Sequence, residues 1–304
     1  MKLLVTGAWP DARNQMDGLC ALGHETVFLQ QEKDPLPCDA AWPEGVICNG
    51  LFLHHSIEDF THLRYIQLTS AGFDRVPMDV VRARGIEIRN ARGVYSVPMA
   101  ETAVMGALGL YRQAAFFQKK QQAHLWEKRR DLLELAGKTV CILGTGSVGM
   151  ECAKRFRAFD CRVLGVNRTV RENPAFDEIS PMERLPEILS ETDVLVLTLP
   201  LSEQTHHLMN AEAFSNMKPG SILINIARGA LVDTEALIPA LRTRLLGAAL
   251  DVFEAEPLPA DSPLWELENV ILTPHNSFVG DGNTKRLNDV IFRNLRDSKP
   301  VATK

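Results

Sequence analysis

Thr139–Glu151, TVCILGTGSVGME, decides how the rest of the chain is read. Its first five residues, Thr139–Leu143, are a short apolar run of the kind that forms a strand buried on both faces. Gly144-Thr145-Gly146-Ser147-Val148-Gly149 follows without a gap, and Met150–Phe159 then reads as a helix. G-x-G-x-x-G acquires meaning in this setting, between a strand and a helix. Gly144 permits the tight turn, Gly146 lets a pyrophosphate lie against the backbone, and Gly149 lets helix and strand pack closely. The first helical turn, with Ser147 and Val148, offers unpaired N–H groups and the positive dipole end to phosphates. The stretch predicts dinucleotide binding. A strand-to-helix turn without a ligand is the alternative that the motif leaves open.

The bulk properties fit that reading. A chain of 304 residues, 45% hydrophobic and 23% charged, is expected to be a soluble globular protein of two domains. A net charge of −5 gives a nucleic-acid partner no electrostatic support. The six cysteines (20, 38, 48, 141, 152 and 161) show no C-x-x-C spacing, so reduced thiols in a cytoplasmic protein are expected, without a metal site. MKLLVTGAW at the start reads as a first strand, not a signal peptide. No apolar run approaches the roughly 18 residues of a membrane span, so no membrane partner is expected.

Outward from the glycine turn, the chain alternates strands with helices, which implies parallel sheets covered on both faces. Lys2–Thr6, Glu25–Leu29, Gly45–Asn49, Tyr65–Thr69 and Ile86–Asn90 form a first set of strands. Met99–Lys120 has few breakers and predicts one long helix. Gln118–Glu134 is polar but carries Trp126 and Leu132-Leu133; a solvated connection and a partner-facing arm are both open. Thr139–Leu143, Arg162–Val166, Val194–Leu197, Ser221–Asn225, Gly247–Asp251 and Val270–Leu272 form a second set. Thr284–Ser298 places Leu287, Val290, Ile291 and Leu295 at helical spacing and is expected to pack on the first domain. The predicted fold is α/β: two Rossmann-like domains with doubly wound parallel sheets, the first completed by the C-terminal helix. Residues 1–98 with 276–304 are the expected substrate-binding domain, and residues 99–275 the dinucleotide-binding domain.

A Rossmann unit usually ends its second strand with an Asp or Glu that holds the ribose hydroxyls. Here the corresponding stretch is Val166-Asn167-Arg168-Thr169, with Arg171 beyond it. A guanidinium pairs with a 2′-phosphate where a carboxylate would repel it. The expected cofactor is therefore NADP, with NAD possible if Arg168 is only a solvated loop residue.

Three polar residues follow the later strands, where ligands bind in open α/β sheets. They are Arg228 in NIARGALVD, Glu256 in DVFEAEPLP and His275 in ILTPH. Singly, each is more often something else: a surface ion pair, an exposed Glu before Pro, or a structural His. Together, a cation, a carboxylate and an imidazole at neighbouring strand ends suit hydride chemistry on a 2-oxo acid.

LTSAGFDRVP, NARGVYSVPMAET, LAGKTVCILGTGSVG, TDVLVLTLPLSEQT, MKPGSILINIARGALVD, GAALDVFEAEPLP and LENVILTPH run in order from about residue 68 to 275. In these segments the chain resembles the D-isomer-specific 2-hydroxyacid dehydrogenases, in particular the glyoxylate/hydroxypyruvate reductase-like members. The first 60 residues add little to the resemblance. It implies that Arg228 binds the substrate carboxylate and polarises its carbonyl. His275 would be the general acid of reduction and the general base of oxidation, and Glu256 would hold the imidazole and stabilise its protonated form. Asp251 would neighbour the nicotinamide carboxamide, with Ala227 near the ring and Leu199 and Pro200 beside the adenosine. The N–H groups of Ala71 and Gly72 would grip the substrate carboxylate. A homodimer joined through the cofactor domains is implied too. An NAD-dependent 3-phosphoglycerate-type dehydrogenase and a non-catalytic nucleotide-sensing protein of the same fold are the alternatives. Retention of Arg228, Glu256 and His275 argues against the second.

The chain departs from the family pattern in Asn276-Ser277-Phe278 after TPH, where small residues and Gly are usual, and in Arg244, where a helix commonly ends with Gly. Phe278 is open between lining the site and packing elsewhere. Arg244 is expected to be a tolerated surface change. Arg92 is open between a solvated loop residue and a selector of anionic substrates.

Overall fold

The computed structural model describes residues 1–298. The chain divides into two compact units, Met1–Tyr95 with the segment from Gly280 onward, and Ser96–Val279.

The first unit is built on five parallel strands, β1 (Lys2–Thr6), β2 (Glu25–Leu29), β3 (Gly45–Cys48), β4 (Tyr65–Leu68) and β5 (Glu87–Arg89), in the order β2-β1-β3-β4-β5. The central strands β3 and β4 are buried along their whole length, as a parallel sheet covered on both faces requires. Helices α1 (Ala12–Ala21) and α2 (Met78–Arg84) connect strands. One face is closed from the other end of the sequence by the last helix among the described residues, Asn283–Asp297. Its Leu287, Val290, Ile291 and Leu295 pack on Leu3, Val5 and Ile47. Each such buried side chain contributes about 1.5–3 kcal/mol. Polar pairs fix the register of this helix: Trp9 Nε1 donates to Asn288 Oδ1 at 2.7 Å, and Asn294 Nδ2 donates to the buried Gln67 Oε1 at 2.9 Å. The C-terminal helix thus completes the first unit, as its periodicity predicts.

The second unit opens with α3 (Ser96–Tyr111) and α4 (Ala114–Gln122). The single helix expected over Met99–Lys120 is therefore two. Gln113 breaks it with φ 52°, a left-handed conformation that a non-glycine residue adopts under local constraint, and no Gly or Pro marks the place. Seven parallel strands follow: β6 (Thr139–Leu143), β7 (Arg162–Val166), β8 (Glu178–Ser180), β9 (Val194–Leu197), β10 (Ile222–Asn225), β11 (Gly247–Leu250) and β12 (Val270–Leu272). Their order is β12-β11-β10-β9-β6-β7-β8. The edge strand β8 is one more than the six expected. At three residues, EIS, it is too short and polar to stand out from a loop. Helices α5 (Ser147–Arg157), α6 (Leu185–Glu191), α7 (Ala211–Asn216) and α8 (Thr234–Thr243) cover the faces, and α9 is the Asn283–Asp297 helix of the first unit.

The order of this sheet reverses at β6, which pairs β7 on one side and β9 on the other. A crevice outside the carboxyl ends of the strands at such a switch point is where these folds take ligands. All six cysteines are free thiols, and burial pushes Cys141 and Cys152 up to about 12. Among the described residues no helix is long and apolar enough to cross a membrane.

Candidate active site

The turn after β6 has the shape of a phosphate cradle. Gly144 lies at φ 103°, open to glycine and strained for other residues, and its N–H donates to the Val166 carbonyl at 2.8 Å. Gly149 is in the first turns of α5, where a Cβ would stand 2.0 Å from the Gly144 oxygen. Gly146 is the N-cap of α5, has no side-chain cap bond, and a Cβ there would meet nothing within 4 Å. Among the described residues the first-turn N–H groups of Ser147 and Val148 have no acceptor, and the side of Gly146 is open. The Asn167 amide donates to Thr145 Oγ1 at 3.0 Å and to the Thr169 carbonyl at 3.3 Å, which ties the end of β7 to the glycine turn.

Asn167, Arg168, Leu199 and Pro200 line a cavity of about 700 Å3 whose apolar wall includes Leu185 and Leu208. That volume lies within the range of ligand pockets. Arg168, Thr169 and Arg171 are exposed. The donor set, the bare glycine and the cavity fit a dinucleotide.

The second group of residues leaves the adjoining carboxyl ends of β10, β11 and β12. His275 sits at φ 51°, again left-handed, and its N–H donates to the Asp251 carbonyl at 2.7 Å. Its Nδ1 is 2.7 Å from Glu256 Oε2. A carboxylate only accepts, so Nδ1 carries the proton and Nε2 is left for other chemistry. The other Glu256 oxygen, Oε1, accepts the Phe253 N–H at 3.0 Å. Both side chains remain partly exposed, at 42% and 36%. In that setting the pair contributes little to stability; it orients the imidazole. Phe278 presents its ring edge-on to His275 at 6.2 Å between centroids.

Arg228 follows β10 and is extended (φ −145°, ψ 140°). The buried Asn225 holds this loop: its Nδ2 donates to the Arg228 carbonyl at 2.9 Å and its Oδ1 accepts the Ala227 N–H at 3.1 Å. Arg228 Nη1 donates to the Ala227 carbonyl at 2.8 Å, and Ala227 itself is buried. Gly229 lies so close to the next loop that a Cβ would be 1.9 Å from the Phe253 carbonyl carbon. The Arg228 turn and the Glu256 loop are thus packed backbone to backbone, and His275 joins them through Glu256.

Asp251 is 1% exposed and works on the histidine turn. Its Oδ1 accepts Thr273 Oγ1 at 2.6 Å and the Asn276 N–H at 2.8 Å, and its Oδ2 accepts the Ser277 N–H at 3.0 Å. A carboxylate offers about four acceptor positions, and three of them are used here. Asn276 and Ser277, where the chain departs from the family pattern, bond through backbone N–H groups alone, so their side chains are not needed for this anchorage.

In the first unit, Ala71 and Gly72 lie on the loop after β4. Their carbonyls are engaged by Asn90 Nδ2 at 2.6 Å and Ser70 Oγ at 3.1 Å. Among the described residues their N–H groups have no acceptor. Arg92 is exposed, and its N–H donates to Asn90 Oδ1 at 3.3 Å. Arg244 is more than a surface replacement: its Nε donates to the Met217 carbonyl at 2.6 Å.

Sequence reasoning passed over Asn225, Thr273 and Thr145. A polar Asn closing the apolar strand ILIN was the one available signal; the partners of the two threonines lie 22 residues away in each case and leave no local trace.

Known proteins resemble this chain over most of its length. The family described as D-isomer specific 2-hydroxyacid dehydrogenase, NAD binding domain, matches residues 104–277. A glyoxylate reductase of Thermofilum pendens is 35% identical over 247 residues, covering 77% of this chain and 71% of that protein. An (S)-sulfolactate dehydrogenase of Chromohalobacter salexigens is 36% identical over 241 residues, 78% of each chain. A crystal structure of a D-isomer specific 2-hydroxyacid dehydrogenase from Xanthobacter autotrophicus, in complex with NADPH and MES, superposes with a TM-score of 0.81 at 26% identity. It covers 99% of this chain and 96% of the other.

Proposed function

The chain belongs to the D-isomer specific 2-hydroxyacid dehydrogenase family, and we propose that this NAD(P)-dependent oxidoreductase uses NADP(H) to interconvert a small 2-oxo acid, of the glyoxylate or hydroxypyruvate kind, with its D-2-hydroxy acid. The observation that carries the reading is the 2.7 Å contact of His275 Nδ1 with Glu256, which leaves Nε2 as the working atom. In reduction, His275 gives its Nε2 proton to the carbonyl oxygen of the substrate while Glu256 keeps the imidazolium oriented. Arg228 takes the substrate carboxylate and polarises the carbonyl. The bound reduced nicotinamide supplies the hydride. Asp251 fixes the turn that carries His275 and keeps one acceptor position for the carboxamide. In the first unit, the Ala71 and Gly72 N–H groups are the proposed additional donors to a carboxylate.

The reading assigns substrate recognition to residues 1–98 with 276–304 and cofactor binding to 99–275. The preference for NADP rests on Arg168 and Arg171 standing where a carboxylate would otherwise meet the ribose. The relative solved with NADPH supports it. The free thiols suit a reducing, cytoplasmic setting. A homodimer is part of the same reading, and the arm after α4 is its proposed contact, because Trp126 is 95% exposed beside Leu125 and Phe117. Light scattering should then give twice the chain mass, and Trp126→Arg should lower it toward the monomer.

The test is a panel of 2-oxo acids run with NADPH and with NADH. Turnover of a small 2-oxo acid with higher kcat/KM for NADPH is expected. Higher kcat/KM for NADH refutes the cofactor preference, and silence across the panel with tight NADPH binding moves the reading to a nucleotide sensor.

A further inference from the structure

Glu254 lies two residues before Glu256 and touches no group assigned to the reaction, yet it is tied down on both oxygens. Oε1 is 2.6 Å from His207 Nε2, and Oε2 accepts the Thr234 N–H at 2.9 Å. Burial alone would push the Glu254 carboxyl up, but bonds from Thr234 and His207 outweigh it and hold the group below its usual range. His207 is itself held in an uncommon state. It adopts φ 49°, its N–H donates to the Ala230 carbonyl at 2.8 Å, and its ring stacks on His206 at 4.0 Å between centroids. A non-glycine residue stays left-handed only where its surroundings over-determine it. The next contact along this segment, Met209 with Val232, is a parallel bridge. Three segments therefore meet at one carboxylate: the loop after β9 through His207, the start of α8 through Thr234, and the loop after β11 that bears Glu254 itself.

The last loop also carries the Phe253 N–H that holds Glu256, and Gly229 is wedged against the Phe253 carbonyl. We propose that Glu254, clamped between His207 and the Thr234 amide, is a positioning residue that sets the orientation of the Glu256 carboxylate and, through it, of His275. The inference rests on the assignment of Glu256 and His275 to the reaction. A loop freed at Glu254 lets Phe253 and Glu256 shift together, and small misplacements of an oriented group cost turnover more than binding.

The test measures kcat, KM for NADPH and melting temperature for His207→Ala, Glu254→Ala, the double variant and His207→Gln. The substrate is glyoxylate or hydroxypyruvate, whichever the wild type reduces faster. The expected result is a loss of kcat of about tenfold in each single variant, with KM for NADPH within about twofold of wild type. The double variant should lose no more than the worse single one, because the two groups act as a unit. His207→Gln keeps a donor on a side chain of similar reach and should recover most of the loss. Wild-type kcat in His207→Ala, or an equal loss in His207→Gln, overturns the proposal. His275→Asn run in parallel separates the two levels of the argument. If it turns over like wild type, the reaction assignment falls and the positioning role with it; if it is inactive while His207→Ala is not impaired, only the positioning role falls.

Discussion

The turn after β6 and the turn after β12 leave the carboxyl edge of the same sheet, and they are held in opposite ways. The first is shaped by what its residues lack. Gly144 needs a left-handed backbone, a Cβ at Gly149 would stand 2.0 Å from the Gly144 oxygen, and Gly146 leaves its side open. The second is shaped by a residue outside it. His275 is left-handed without being glycine, and Asp251, reaching it from the end of β11, accepts from Thr273, Asn276 and Ser277. A surface suited to backbone-bound phosphates can be written as a few closely spaced glycines. A surface that aims one imidazole takes a buried carboxylate and three donors gathered by the fold.

The comparison can be broken at either turn. The largest effect is expected from Asp251→Ala, which leaves three buried or partly buried donors without their acceptor. At about 1–3 kcal/mol each, the loss is on the order of 3–9 kcal/mol, read by urea denaturation, with kcat falling in whatever protein still folds. An Asp251→Ala protein of wild-type stability would show that the histidine turn holds itself. Next comes Gly149→Ala. Its Cβ forces the Gly144 carbonyl away, so NADPH affinity measured by fluorescence titration should weaken at least about tenfold, while kcat at saturating cofactor changes less. Unchanged affinity would remove the close-packing argument. The smallest effect is expected from Arg168→Glu, which exchanges the proposed partner of the 2′-phosphate for a like charge. The ratio of kcat/KM for NADPH over NADH should fall about tenfold or more, and an unchanged ratio would return Arg168 to the solvated surface.

The same contrast explains what the sequence made legible. TVCIL, the glycine spacing and the alternation of strands and helices carry the fold class because each depends on neighbours along the chain. Leu287, Val290, Ile291 and Leu295 announced a helix that closes the first unit, since periodicity survives any tertiary detail. The break at Gln113 and the three-residue strand β8 did not announce themselves; the first has no Gly or Pro, and the second is held only by pairing with β7. At the site, Glu256 and His275 were visible as polar residues past strand ends, and the structure brings them to 2.7 Å. The network of Asp251 around the turn, the support of Arg228 by Asn225 and the clamp on Glu254 were not visible. Their partners lie from a few to nearly fifty positions away, and nothing in the composition of either segment points to the other.

The central claim is that one imidazole, oriented by Glu256, moves the proton during reduction of a 2-oxo acid. The most direct measurement is the pH dependence of kcat/KM for reduction by NADPH in the wild type, set beside His275→Asn with its NADPH affinity determined separately. Reduction needs the imidazolium, so the wild-type rate should fall as rising pH removes that proton, while oxidation of the D-2-hydroxy acid rises. His275→Asn should lose on the order of 10²–10⁴-fold in turnover and still bind NADPH as the wild type does. A flat wild-type profile from acid to strongly alkaline pH, or an Asn variant that reduces the same acid at the wild-type rate, would contradict the account.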